Sequence, residues 1–261
     1  MTLPARAATE SEVDALLEAL RMHETLDVMR EEGLLYADEL AEEMLASGTT
    51  PGWRARVADI YDPEQMYAQV RAGFIAAIGP DDVTPLIDFL TSEQGARIVT
   101  LEISARRAQL DKDVEEAASA RYHQMLEDGA PRIEQTRRFI EANDLIEANV
   151  VGSLNSNFRF YLGLMDGAPA TFALTQDQAL RDVWEQESEI RANTEDWLYS
   201  FLLMAYQPLP DGTLEDYIAL SLSPDGALLN RALFGGFDPM FADISYQLGL
   251  AVAMSLQGQD L

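Results

Sequence analysis

Cysteine is absent from this chain of 261 residues, which excludes disulfides, iron–sulfur clusters and thiolate zinc sites before any pattern is read. Lysine is almost absent as well. Lys112 is the one lysine among 18 basic residues, set against 45 acidic ones, and the formal charge is -27. Such a charge repels nucleic acid and anionic membrane surfaces, so neither is expected as a partner. The charge is -15 up to Asp128 and -12 beyond it, so no basic module hides in either half. The shortage of lysine reads as genome composition or salt tolerance. Long apolar runs are missing too: nothing approaches the roughly 18 to 20 residues that cross a bilayer, and no transmembrane segment is expected.

Histidine occurs twice, which leaves little for histidine-based catalysis. His23-Glu24-Thr25-Leu26-Asp27 opens like a zinc-protease helix, but Asp in the fifth position breaks the ligand pair. His123 and Glu127 share a helical face. Two ligands make no metal site, however, and a His near a helix C-terminus complements the dipole. No Glu lies three residues before either His, so the di-iron bundle motif is missing. Gly152-Ser153-Leu154-Asn155 is not a nucleophile elbow, and no Asp-x-Asp-x-Asp-Gly calcium loop occurs. Arg106-Arg107 and Arg137-Arg138 could grip an anion, but among so many carboxylates they are expected in salt bridges. The expectation is a non-enzyme with no cofactor and no metal.

What the chain does contain is a repeated corner. Phe89-Leu90-Thr91-Ser92-Glu93-Gln94-Gly95-Ala96 returns as Leu220-Ser221-Leu222-Ser223-Pro224-Asp225-Gly226-Ala227. In both, an apolar helix ends, a Ser takes the N-cap of the next helix, and Gly follows three residues later. Ser92, Gly95, Ser223 and Gly226 are therefore assigned as structural corners where one helix turns back on another. On that reading Leu at either Gly overpacks the corner, while Ala costs less.

Helical periodicity fills the rest, with capping boxes at Thr9–Glu12 and Thr175–Gln178 and an Asp62-Pro63 start. No stretch alternates apolar and polar for long, so the fold is expected to be all-α. One long helix is expected from the Ser92 corner to about Glu127, and another from Thr175 to Tyr206. The breakers Gly48-Thr49-Thr50-Pro51 and Asp166-Gly167-Ala168-Pro169 sit at matching places. Hence the chain reads as two similar helical halves, 9–128 and 129–261, each with a short helix, a Ser/Gly corner and a long helix, packed as one body. Residues 1–8 have two readings: Ala5-Arg6-Ala7 as the remnant of an export signal, or an Ala-rich start without meaning.

At the two corners, Thr91-Ser92-Glu93-Gln94-Gly95 and Ser221-Leu222-Ser223-Pro224-Asp225-Gly226, the chain resembles a bacterial exported family known as domain of unknown function 2059. The resemblance implies an all-helical fold and export to the periplasm. It implies no activity.

The halves differ in their aromatic content, since 14 of the 22 aromatics follow Asn149. Phe234-Gly235-Gly236-Phe237-Asp238-Pro239-Met240 is expected to kink or break the last helix, where the first half continues smoothly through Ser104-Ala105. A break among large rings leaves a cavity, with Trp197, Phe201, Phe234, Phe237 and Met240 as candidate ligand-binding residues and Gly235→Phe as a way to fill it. The alternative is that the rings fill the core. Two functions stay open: a non-enzymatic envelope protein that binds an unidentified protein partner through helical surfaces, and a carrier of an apolar small molecule or lipid in the second half.

Overall fold

The computed structural model describes residues 8–168 and 174–257. The segment read as an export remnant, apart from Ala8, and Pro169 of the second breaker lie outside these residues. Thirteen α-helices and no strands make up the described chain. They are α1 (Glu10–Ala19), α2 (Met22–Met44), α3 (Pro51–Ile60), α4 (Pro63–Ile78), α5 (Thr84–Thr91), α6 (Glu93–Ala108) and α7 (Lys112–Glu127). After Gly129 come α8 (Pro131–Ala142), α9 (Leu145–Gly167), α10 (Gln176–Glu185), α11 (Glu187–Tyr206), α12 (Asp211–Ser221) and α13 (Pro224–Leu256). The all-α expectation holds.

Short polar side chains set the helix starts. Thr9 and Thr175 form complete capping boxes with Glu12 and Gln178. Thr50 and Asp62 accept from the backbone amides of Trp53 and Gln65, each with Pro just inside the helix. Each such cap contributes about 1 kcal/mol by satisfying an amide that the helix leaves unpaired.

The corners follow the same logic twice. Ser92 Oγ accepts from the Gly95 amide at 3.1 Å and donates to the Phe89 carbonyl at 2.6 Å. Ser223 Oγ makes the matching pair, 3.1 Å from the Gly226 amide and 2.6 Å from the Leu220 carbonyl. A Cβ on Gly95 would lie 2.1 Å from the Phe89 carbonyl oxygen, and one on Gly226 would lie 2.1 Å from that of Leu220. The first carbon already collides with backbone, so Ala does not escape the cost as the sequence suggests.

Helix lengths run in parallel through the chain. From α1 to α6 they are 10, 23, 10, 16, 8 and 16 residues, and from α8 to α13 they are 12, 23, 10, 20, 11 and 33. The left-handed residues Arg21 and Asp144, both at φ 50, precede α2 and α9. Contacts correspond as well: α1 packs on α5 and α8 on α12, while α2 packs on α3 and α4 and α9 on α10 and α11. The two corner helices cross over. Helix α13 lies against α4, and α6 lies against α11. The two larger cores therefore draw on both sides of Asp128. One gathers Leu16, Trp53 and Phe74 with Leu229, Met240 and Val252; the other joins Ile98 and Tyr122 to Phe139, Leu202 and Tyr206.

Three expected helix courses are corrected. The run from Ser92 to Glu127 divides, because Asp111 uses its side chain to accept from the Asp113 amide and starts α7 as a new helix. The run to Tyr206 divides at Gln186, whose side-chain oxygen is held by Asn157 of α9 at 3.0 Å. The expected break at Gly235-Gly236 does not occur, and α13 continues through Pro239. Pro239 has no N–H to offer the carbonyl of Gly235, four residues back. That carbonyl instead faces α4, where a Cβ on Gly73 would stand 2.3 Å from it. The glycine pair serves a close helix crossing.

Gly95→Ala and Gly226→Ala should each destabilise the protein by about 1 to 3 kcal/mol, close to the effect of Leu at the same sites. Urea unfolding curves check this, and an Ala variant as stable as the parent would contradict the corner geometry.

Candidate ligand-binding cavity

A cavity of about 700 Å³ opens between α2, α6, α8, α9, α11, α12 and α13. Its position follows from the crossing just described. Clamped on α4 by Gly235, Gly236 and Met240, α13 turns its other face inward, and that face carries Phe234, Phe237 and Phe241 at helical spacing. Across the space, α11 presents Trp197 and Phe201, stacked with ring centroids 5.2 Å apart and 4° between planes. All five rings are only part-buried because they border open space.

Four of the five candidate residues thus line one cavity: Trp197, Phe201, Phe234 and Phe237. Met240 does not. It is fully buried in the core on the α4 side, since positions 236 and 240 share one face of α13 while 234, 237 and 241 share another. Gly235 is likewise absent from the lining, and a Cβ there would meet that of Ala77 at 2.9 Å. Gly235→Phe would therefore force α13 off α4 and not fill the cavity.

Polar chemistry enters from α6 and α9. Glu102 points into the cavity and accepts a hydrogen bond from Tyr206 Oη at 2.6 Å, with the Tyr217 hydroxyl on the same carboxylate. Its accessible surface opens on the cavity, and protein packed around the rest desolvates the carboxylate. Burial pushes the Glu102 carboxyl up to about 7, against the opposing pull of the two tyrosine hydroxyls. Tyr206 and Tyr217 are themselves pushed well above their ordinary value, first by burial and then by the Glu102 charge. One helical turn beyond, Arg106 is gripped by both oxygens of Glu32 at 2.7 Å, and its guanidinium lies 5.9 Å over the Trp197 ring. Asp238 stands at the exposed rim with no hydrogen-bonding or ionic partner among the described residues, and partial burial raises its pKa. Asn149, Ser153, Ser156 and Asn157 add a polar strip along α9.

The residues weighed for other chemistry are placed elsewhere. His23 stacks on Tyr67 with centroids 4.0 Å apart, and His123 Nε2 lies 2.8 Å from Asp196 Oδ1. Arg106, Arg137 and Arg138 are in ion pairs, as expected of them, whereas Arg107 forms none within 4.0 Å among the described residues. Among the described residues no group of three or more His, Asp or Glu is arranged to hold a metal ion, and no helix is long and apolar enough to cross a membrane.

Sequence reading missed Glu102, Tyr206, Tyr217 and the role of Asp238. One signal for Glu102 was present, since it interrupts the apolar stripe of Ile98 and Ala105 on α6. No protein family matches this chain, and no curated protein or solved structure is significantly similar to it.

Glu102 gives stability a specific pH dependence. Its folded pKa, about 7, exceeds the ordinary value of 4.5, so the folded protein holds this proton more tightly than the unfolded chain. The stabilisation is complete below pH 4.5 and is lost as pH rises through 7. Against Glu102→Gln, which cannot titrate, the parent should lose on the order of 3 kcal/mol across that window. Urea unfolding of both proteins at several pH values tests it, and parallel profiles would contradict the burial of this carboxyl.

Proposed function

We propose that the protein is a non-enzymatic carrier of a small molecule with an apolar body, held in the cavity between α11 and α13. The observation that supports it most is the cavity itself: about 700 Å³, walled on one side by five part-buried aromatic rings, with a polar strip along α9. Ligand sites of small molecules are concave, mostly apolar and in the range of about 300 to 1,000 Å³. Open space faced by Trp, Phe and Tyr is costly to leave to water, and an apolar occupant recovers that contact area. Among the described residues no serine of the lining is hydrogen-bonded to a side-chain base, which favours holding over transforming.

A second reading keeps the protein as a partner-binding component of the cell envelope. It draws on Trp184 and Leu180, one turn apart on α10, which are 61% and 44% exposed. Export to the periplasm and membership of the exported family remain proposals that rest on Ala5-Arg6-Ala7 and on the corner motif. The parallel helix lengths and contacts support a third proposal, that residues 9–128 and 129–261 are two copies of one unit.

Native mass spectrometry of protein purified from an exporting host tests the carrier reading. An adduct is expected on the parent and should be lost in Ser156→Trp, which puts a large ring into the cavity from α9. Absence of any adduct, together with a melting temperature unmoved by added amphiphiles, would leave the partner-binding reading in its place.

A further inference from the structure

The charges around the cavity do not balance. Four charged side chains line it: Glu32, Glu102, Arg106 and Asp238. Glu32 and Arg106 satisfy each other through two hydrogen bonds of 2.7 Å, so the cavity's one cation is spent within its own wall. Glu102 is met by tyrosine hydroxyls, and no cation faces it or Asp238 among the described residues. Lys112, the lone lysine, is paired with Glu39 away from the cavity. An anionic head such as a carboxylate or phosphate would find no free guanidinium or ammonium here and would face two carboxylates. The opposite charge suits the site twice over. A positive group gains from carboxylates in a partly enclosed space, and it gains again over the faces of aromatic rings.

We infer that the cavity takes an organic cation with an apolar body, an alkyl- or aryl-ammonium compound, whose positive head lies between Glu102 and Asp238 and whose body packs on Trp197, Phe201 and the α13 phenylalanines. This rests on the carrier reading and names its ligand class. Glu102 contributes from a part-buried position on α6 and Asp238 from an exposed one on α13. Burial, and not a neighbouring charge, raises the affinity of both carboxyls for a proton.

Three probes with one twelve-carbon chain separate the head group from the body: dodecyltrimethylammonium, dodecanol and laurate, each titrated calorimetrically below its micelle concentration into the full chain at neutral pH. The ammonium probe is expected to bind at least about tenfold more tightly than laurate. In Glu102→Gln the ratio of the two affinities should fall by several-fold, and Asp238→Asn at the exposed rim should lower it without threatening the fold. Those variants also remove surface attraction as an explanation, since each deletes one acid among 45. Laurate binding as tightly as the ammonium probe, or a ratio unchanged in both variants, would overturn the cation inference while the carrier reading stands. Failure of all three probes to bind would overturn both.

Discussion

Close approach of backbone to backbone at a few glycines is the constraint on which the rest of this structure depends. At the corners, the Ser92 and Ser223 hydroxyls tie the end of one helix to the start of the next, and Gly95 and Gly226 let the chain turn back within a distance that no Cβ permits. The direction of α6 and α13 is set there. Further along α13, Gly235 and Gly236 press against Gly73 and Phe74 of α4, and Gly249 meets Gly163's helix, where a Cβ would lie 2.1 Å from the Phe160 carbonyl oxygen. A helix held this closely on two sides has little freedom to roll. Its third face, with Phe234, Phe237 and Phe241, is left toward the cavity.

Crossing of the corner helices then explains why the cavity lies where residues from the whole chain meet. Because α6 packs on α11 and α13 on α4, the two larger cores are shared across Asp128, and the open space is bounded by Glu102 of α6 as well as by the rings of α11 and α13. An acid delivered to an aromatic wall from another part of the chain is desolvated on arrival. Tyr206 and Tyr217 moderate that cost with hydrogen bonds, but they do not supply the positive charge that would cancel it.

What the sequence made legible was local. Capping boxes at Thr9 and Thr175, the Asp62-Pro63 start and both Ser corners sit where their chemistry places them, because each is satisfied within four residues. The aromatic excess also pointed to Trp197, Phe201, Phe234 and Phe237. Illegible features depended on partners far along the chain. Gly235-Gly236 reads as a break until Gly73 is known to lie against it, and Gln186 reads as mid-helix until Asn157 holds its side chain. Met240 was grouped with its neighbours in sequence although a helix sends it to the opposite side. Glu102 looked like one more acid in a very acidic protein, and only the packing of α11 and α12 over it sets it apart.

Glu102 is a desolvated carboxyl facing an aromatic cavity, and its own titration reports on that most directly. Carbon-13 NMR of the glutamate side-chain carboxyls, with Glu102 assigned by its loss in Glu102→Gln, should show one resonance with a midpoint near 7. A Glu102 carboxyl that titrates near the ordinary 4.5 would mean that water reaches it freely, and the cavity described here would not exist in solution.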